Sequence, residues 1–383
     1  MDFSWSEEQV AIQETARRFA ENKLLPEYQN NDHKHAFDRE MLKEMGRLGL
    51  IGAELSGQYG GLELGYVTAG LITEEIARAD FNVAYVQILA GLNGGIIEKF
   101  ATPALANQWI PKIIAGEALC AIALTEPSAG SDAANLKLKA EKKGDVYVLN
   151  GEKTSISAAA QADIAVVFAR TGTTEEKAKG VSAFLVPLDN PKIERTHFDD
   201  LGESVVGRGS LFFDDVEVPE ENILGEEGLG FIQVMQGFDY SRALIGLECL
   251  AAAKKSVEEA WEQVTTREAF GKKISKFEGV SFPLAEAETY IEAAKLLCYK
   301  TLWLRDQGQP HTAEAAMCKW WAPKVSFEII HNCLLAHGHG GYSKDYPIQQ
   351  RLRDVLGLQI GDGTSQIQKI IILNVLVFQC IQH

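Results

Sequence analysis

Hydrophobic positions change their period twice along this chain. Val10, Ile12, Ala16, Phe19 and Ala20 recur at helical spacing. They follow Ser6-Glu7-Glu8-Gln9, where Gln9 is placed to reach back to the Ser6 backbone as a capping box. A second helix is expected from Asp38 through Met41, Leu42, Met45 and Leu48, ending near Gly49, and Gly60-Gly61 marks a turn. Val67 to Ala79 and Val83 to Phe100 read as further helices, with Pro103 and Pro111 punctuating the stretch after them. From about Ala118 the period shortens. Val146 to Leu149, Ile164 to Phe168, Ser182 to Val186 and Leu211 to Pro219 read as strands, bounded by turns at Asn150-Gly151, Gly180 and Gly207-Arg208-Gly209. After Gly230 long helical periodicity returns and persists to the end. The expected class is α+β: a helical domain over 1–117, a β domain over 118–226 and a helical domain over 227–383.

Composition narrows the function classes. A chain of 383 residues, 46% hydrophobic and 23% charged, can bury a sizeable core without metal or disulfide staples. Its 53 acidic and 37 basic residues give a net charge of -16, which argues against nucleic-acid binding. No apolar run reaches about 18 residues, so no membrane span is expected. The start, Met1 to Glu8, has no basic stretch followed by an apolar one, so no signal peptide is expected. None of Cys120, Cys249, Cys298, Cys318, Cys333 and Cys380 forms a Cys-x-x-Cys pair, and reduced thiols in a cytoplasmic protein are expected. His337 and His339 lack further ligands, so no metal site is expected. Gly225-Glu226-Glu227-Gly228-Leu229-Gly230 has G-x-x-G-x-G spacing and no βαβ surroundings, so it reads as a turn into a helix rather than a dinucleotide site.

More specific are segments occurring together in one order. They are Leu124-Thr125-Glu126-Pro127-Ser128-Ala129-Gly130-Ser131-Asp132, Leu149 to Ser157, Arg267 to Ile274 and Gly361-Asp362-Gly363-Thr364-Ser365-Gln366-Ile367-Gln368. With Gln58 to Leu62, Phe238 to Arg242 and Tyr342 to Pro347, the chain resembles the acyl-CoA dehydrogenase family over nearly its whole length. The resemblance implies an N-terminal α-helical domain, a middle β domain and a C-terminal four-helix bundle, usually as a homotetramer. It also implies non-covalent FAD, an acyl-CoA substrate and an electron-transferring flavoprotein as acceptor.

Residue by residue, the resemblance assigns Leu124, Thr125, Gly130, Ser131, Ser155, Ser157, Arg267, Phe270, Glu278, Gly338, Thr364 and Gln366 to FAD. Small residues at Ser128, Ala129 and Gly130 let backbone approach a flat ring. Ser157 falls where the family hydroxyl meets flavin N5, and Arg267 where it meets the pyrophosphate of a neighbouring subunit, with Phe270 nearby. Thr364 and Ser365 at a helix start suit phosphate; as residues alone they are equally helix caps. Ser131, Asp239, Arg242, Gly361 and Gly363 are assigned to substrate, Asp239 and Arg242 to its CoA portion; as residues alone, that pair reads as a solvated intrahelical ion pair. Leu335-Ala336-His337-Gly338-His339 replaces the usual Gln-x-x-Gly-Gly, and Glu278 replaces a glutamine, both on the adenine side.

In this family a carboxylate removes the α-proton while a hydride leaves the β-carbon for flavin N5. The matching position is Asp362, where most members carry glutamate, so the carboxylate sits about 1.5 Å closer to the backbone. Taken alone, Asp362 also reads as a cap of the last helix. The alternative family position for the base is Ser241, which cannot serve, and Val83 to Gln108 holds only Glu98 as an acid. Gly361 stands for a tyrosine, Asp362 for the longer acid and Ser155 for a tryptophan, each removing volume. An empty cavity costs stability, so a bulky α-branched or cyclic acyl group is expected, in the pattern of cyclohexanecarboxyl-CoA dehydrogenases. The alternatives are a branched or other acyl-CoA dehydrogenase, an enoyl-CoA reductase or direct oxygen user, and a non-catalytic acyl-CoA or flavin binder.

Overall fold

The computed structural model describes residues 4–381, with side chains given for 4–377. Helix α1 (Glu7–Phe19) starts with the expected capping box: the Gln9 N–H donates to Ser6 Oγ at 3.2 Å and the Ser6 N–H to Gln9 Oε1 at 3.0 Å. Asp38 caps α2 (Arg39–Arg47) by accepting from the Glu40 and Met41 N–H groups. Asp80 separates α3 (Gly65–Ala79) from α4 (Phe81–Phe100). Nearly every residue of α4 is buried, as its all-round apolar sequence requires. Pro111 does not follow a helix as expected but lies inside α5 (Pro103–Ile114), where it removes one backbone donor and leaves the rest of the ladder in place.

The sheet comprises β1 (Cys120–Ala123), β2 (Lys139–Lys143), β3 (Val146–Ser157), β4 (Ile164–Arg170), β5 (Val181–Pro187), β6 (Ile193–Arg195) and β7 (Arg208–Pro219). The order is β1-β4-β2-β3-β7-β6, with β5 antiparallel on β4. Asn150-Gly151 is not the expected turn. β3 runs through it, and Gly151, at φ +137°, takes up a register shift against β7, so the pair forms a bulge. A second shift between Lys153 and Ile156 leaves Ser155 at φ +56°. The sheet keeps its own apolar core, including Tyr147, Phe184 and Phe213.

Helix α6 (Gly230–Thr266) has 37 residues and spans about 55 Å. The small β8 (Glu268–Ala269) and β9 (Lys272–Lys273) hairpin joins it to α7 (Glu278–Asp306). Then come α8 (Thr312–Ala336), α9 (His339–Tyr342), α10 (Ile348–Gly357) and α11 (Ser365–Ile381). α6, α7, α8 and α11 pack as the C-terminal bundle, while α3 and α4 pack on α6, so both helical regions share one core. Cys120, Cys249, Cys298, Cys318 and Cys333 are buried free thiols; the Cys380 side chain lies outside those described. Among the described residues no helix is long and apolar enough to cross a membrane.

Candidate active site

The segment from Leu124 to Asp132 is pinned onto β3 by a buried ion pair. Lys153, fully buried on β3, donates to Glu126 Oε1 at 2.8 Å and to the Leu124 carbonyl at 2.9 Å. Glu126 also accepts from the Lys137 and Leu138 N–H groups at 2.6 and 2.8 Å. Burial pushes the Lys153 amine down to about 8, against the pull of Glu126. The Thr154 N–H donates to the Thr125 carbonyl at 2.9 Å, which sets Thr125 beside the bulge bearing Ser155 and Ser157. Leu124 is buried, Thr125 half-buried, and Gly130 and Ser131 exposed. A Cβ at Gly130 would have no atom within 4 Å, so its surroundings are open to an approaching ring.

Two neighbours of this bulge come from elsewhere in the chain. Arg208 donates to Ser155 Oγ at 3.1 Å while paired to Asp200. Tyr85 is buried on α4, and the Ser157 hydroxyl is among the groups that influence its phenol, pulling against the rise that burial causes.

Asp362 lies in the connection between α10 and α11, at φ +51°. Its side chain does not cap α11: Ser241 Oγ on α6 donates to Asp362 Oδ2 at 3.3 Å, while Thr364 Oγ1 accepts from the Ile367 N–H. Two donors hold the connection in place. Lys319 Nζ, buried on α8, reaches the Leu358 carbonyl at 2.6 Å and the Gly363 carbonyl at 3.5 Å. Gln368 Nε2 donates to the Asp362 and Gly363 carbonyls at 3.0 and 3.1 Å. Gly363 sits at φ +90°, a backbone conformation that strains any side chain, and a Cβ there would press on Gln368 Nε2 at 2.6 Å. Gly361 is not required in this way: it is exposed, and the nearest contact of a Cβ there would be the Gly357 carbonyl at 3.9 Å, so a side chain would fit. Burial lifts the Asp362 carboxyl above the usual aspartate range, while Lys319, Arg242 and the Ser241 hydrogen bond pull it down. That suits a base in a dry site.

Asp239 and Arg242 do form an i,i+3 pair at 3.0 Å, but it is not solvated. Arg242 is 3% exposed, and Thr312 Oγ1 donates to Asp239 Oδ2 at 2.6 Å. Arg242 Nε is buried without a partner, a donor free for a ligand.

The remaining cofactor candidates gather separately. Arg267, Phe270 and Gly338, with Phe277, Val280 and Leu335, line a cavity of about 330 Å³ between the β8–β9 hairpin and the end of α8. Phe270 is 94% exposed at its mouth. Glu278 is exposed at the head of α7 beside Phe277 and does not line the cavity; Gln366 is exposed on the first turn of α11. No Thr125–Ser131 or β3 residue lines this cavity, so the candidate cofactor residues fall on two separate surfaces. His337 is buried with Nδ1 2.8 Å from the Cys333 carbonyl, a structural role.

Sequence reasoning gave no role to Tyr85, Arg208 and Lys319, nor to Lys153 and Gln368, although the last two lie within segments it singled out. Lone polar residues inside helical or strand patterns carry no local signal of burial. The residues present suit a flavin dinucleotide: short hydroxyls around an open glycine at one surface, and an arginine with an exposed aromatic ring at the other.

Known proteins match this arrangement. Residues 6–117, 121–216 and 228–377 match the N-terminal, middle and C-terminal domains of acyl-CoA dehydrogenase. The chain is 34% identical over 363 residues to the mitochondrial short-chain specific acyl-CoA dehydrogenase of Mus musculus, covering 94% of this chain and 88% of that protein. Its fold is similar to butyryl-CoA dehydrogenase from Megasphaera elsdenii, with a TM-score of 0.95 and 34% identity, covering 98% of this chain and 100% of that one. A chain in the structure of the electron transferring flavoprotein of Acidaminococcus fermentans is equally similar, with a TM-score of 0.95, 34% identity and coverage of 98% and 99%. The N-terminal helices, the middle sheet and the C-terminal bundle, each matched in order, establish that this chain belongs to the acyl-CoA dehydrogenase family of FAD-dependent oxidoreductases.

Proposed function

We propose that this enzyme desaturates an alicyclic acyl-CoA, taking cyclohexanecarboxyl-CoA to cyclohex-1-ene-1-carboxyl-CoA, with Asp362 as the α-proton base. The observation behind this reading is the residue next to Asp362: Gly361 carries no side chain although a Cβ there would meet nothing nearer than the Gly357 carbonyl at 3.9 Å. A ring attached at the α-carbon takes the volume that a side chain would fill, and the shorter carboxylate meets an α-carbon that lies nearer the α11 start. Ser155 likewise stands where the resemblance expects a bulky residue.

Bound FAD supplies the acceptor for the hydride from the β-carbon. The chain's own groups do the rest. The Asp362 backbone N–H, held by the Lys319 and Gln368 bonds to the same connection, is placed to donate to the thioester carbonyl and acidify the α-proton. The Asp362 carboxylate then takes that proton. Arg242 Nε, buried and without a partner, offers a donor on the CoA side. Arg267 and Phe270 offer the cavity between the hairpin and α8 to the pyrophosphate of a neighbouring subunit's cofactor in a homotetramer. The likeness to a chain from the Acidaminococcus fermentans structure supports an electron-transferring flavoprotein as acceptor.

The test is an anaerobic absorbance titration of the holoenzyme with cyclohexanecarboxyl-CoA and, separately, butyryl-CoA, the substrate for which the Megasphaera elsdenii relative is named. Preferential flavin bleaching by the cyclic thioester is expected. Bleaching by butyryl-CoA alone would overturn the cyclic substrate and leave the family assignment intact.

A further inference from the structure

Among the described residues a single hydrogen bond reaches the Asp362 carboxylate, and it comes from another element. Ser241 Oγ, on α6, donates to Oδ2 at 3.3 Å across 121 positions of sequence. The other bonds to this connection act on its main chain: Lys319 on the Leu358 and Gly363 carbonyls, and Gln368 on the Asp362 and Gly363 carbonyls. With the backbone at φ +51°, they fix where the Asp362 side chain starts. Where it ends is left to its own torsions, a staggered χ1 and a broad χ2. The Ser241 hydroxyl is the donor that selects among those positions.

An ordinary helix serine bonds back to its own helix, and Ser241 Oγ also lies 3.5 Å from the Phe238 carbonyl. A hydroxyl has one proton to give. The carboxylate is the nearer acceptor and the charged one, and bonds to ionised acceptors are roughly twice as strong. Its polar neighbours on this turn are committed elsewhere, since Asp239 accepts from Arg242 Nη1 at 3.0 Å and from Thr312 Oγ1 at 2.6 Å. At 3.3 Å the Ser241 bond is long for a hydroxyl donor. Catalytic hydrogen bonds are commonly long until substrate tightens them. Ser241 itself is 0% exposed, so its hydroxyl has no water to turn to.

We propose that Ser241 is a positioning residue for the proton transfer: its hydroxyl holds Asp362 Oδ2, so that Oδ1 faces the substrate α-carbon. The proposal rests on the reading that Asp362 is the base. The proton passes from the α-carbon to Oδ1, and Ser241 keeps its own proton throughout. The short acid makes the hold matter. A misplacement of about 1 Å can cost on the order of a hundredfold in rate, and aspartate has one torsion fewer than glutamate with which to recover the position.

The test is rapid-mixing flavin reduction in the holoenzyme by the thioester that bleaches the parent, over a range of thioester concentration. Four variants are compared: Ser241→Ala, Ser241→Thr, Asp362→Asn and the double variant Ser241→Ala/Asp362→Asn. Ser241→Ala should lower the limiting rate by about tenfold or more, with thioester affinity kept within about twofold. Ser241→Thr, which retains the hydroxyl, should restore most of the rate. In the Asp362→Asn background, Ser241→Ala should slow reduction no further, because residues that act through one group are not additive. A parental rate in flavin-loaded Ser241→Ala, with Asp362→Asn slow, overturns the role of Ser241 and leaves the base assignment standing. So does a loss confined to thioester affinity, a Ser241→Thr variant as slow as Ser241→Ala, or the same further slowing in the double variant. A parental rate in Asp362→Asn overturns the base assignment, and this proposal with it.

Discussion

Replacing Lys319 with methionine separates the chemistry of the base from the stability of the fold. The ammonium is 1% exposed and donates to the Leu358 and Gly363 carbonyls, at the two ends of the connection that carries Asp362. Methionine keeps a flexible stem and removes the charge. Losing the donor leaves the Leu358 carbonyl unmatched, a cost of about 1–3 kcal/mol. Against that, burial has already lowered the amine from 10.5 to about 8, and removing it relieves about 3 kcal/mol of strain on the folded state. The opposing effects leave Lys319→Met within about 2 kcal/mol of the parent. Catalysis responds differently. Lys319 is the largest of the influences that favour ionised Asp362, so without it the carboxyl rises further. The acid limb of kcat/KM against pH should move to higher pH, with activity below that limb falling. Stability carries its own signature. Between about 8 and 10.5 the unfolded chain holds a proton on Lys319 that the folded chain has lost, so Lys319 makes stability rise with pH there, and the variant should lack that rise. Thermal unfolding beside the pH–rate profile reads both effects. An unmoved acid limb in a folded, flavin-loaded variant would refute Lys319 as the positioning residue.

Two further substitutions probe the surroundings. Lys153→Met leaves the Glu126 carboxylate buried with backbone donors and no cation, and should cost about 3–5 kcal/mol and loosen the Thr125–Ser131 segment. Melting and the flavin-to-protein ratio of the purified variant should both fall; retention of both would contradict the role given to the ion pair. Glu203 is raised from 4.5 to about 8 by burial and then by Asp354, so its contribution to stability is full below the lower value and lost as pH rises through the upper one. Glu203→Gln should flatten the decline of melting temperature between about pH 5 and 8, and an unchanged slope would show that this group does not set it.

What was legible depended on how local the cause is. Ser6 with Gln9 and Asp38 with the α2 start are settled within a few residues: the capping box forms where expected, and the second helix begins at the expected place, with Asp38 as its cap. Asn150-Gly151 misled because the dipeptide favours a turn in isolation, whereas pairing with β7 on both sides keeps β3 continuous through it, as a bulge. β1 was missed because Cys120–Ala123 is short, and it becomes a strand through parallel pairing with β4, more than forty residues away. At the site, the family pattern pointed to Asp362, and the aspartate's contact with Ser241, 121 residues earlier, appears only on folding. Ser241 and Lys319 resemble ordinary polar positions on long helices; their burial comes from packing of α6, α8 and the Asp362 connection. The Asp239–Arg242 spacing is readable, while its removal from solvent is not.

The most direct test of Asp362 as the base is rapid-mixing reduction of the flavin in Asp362→Asn by the thioester that bleaches the parent enzyme. The variant should purify yellow and bind the ligand, while its flavin reduction slows by about a thousandfold or more, since asparagine cannot take the α-proton. Reduction at the parental rate would contradict the assignment and place the base elsewhere.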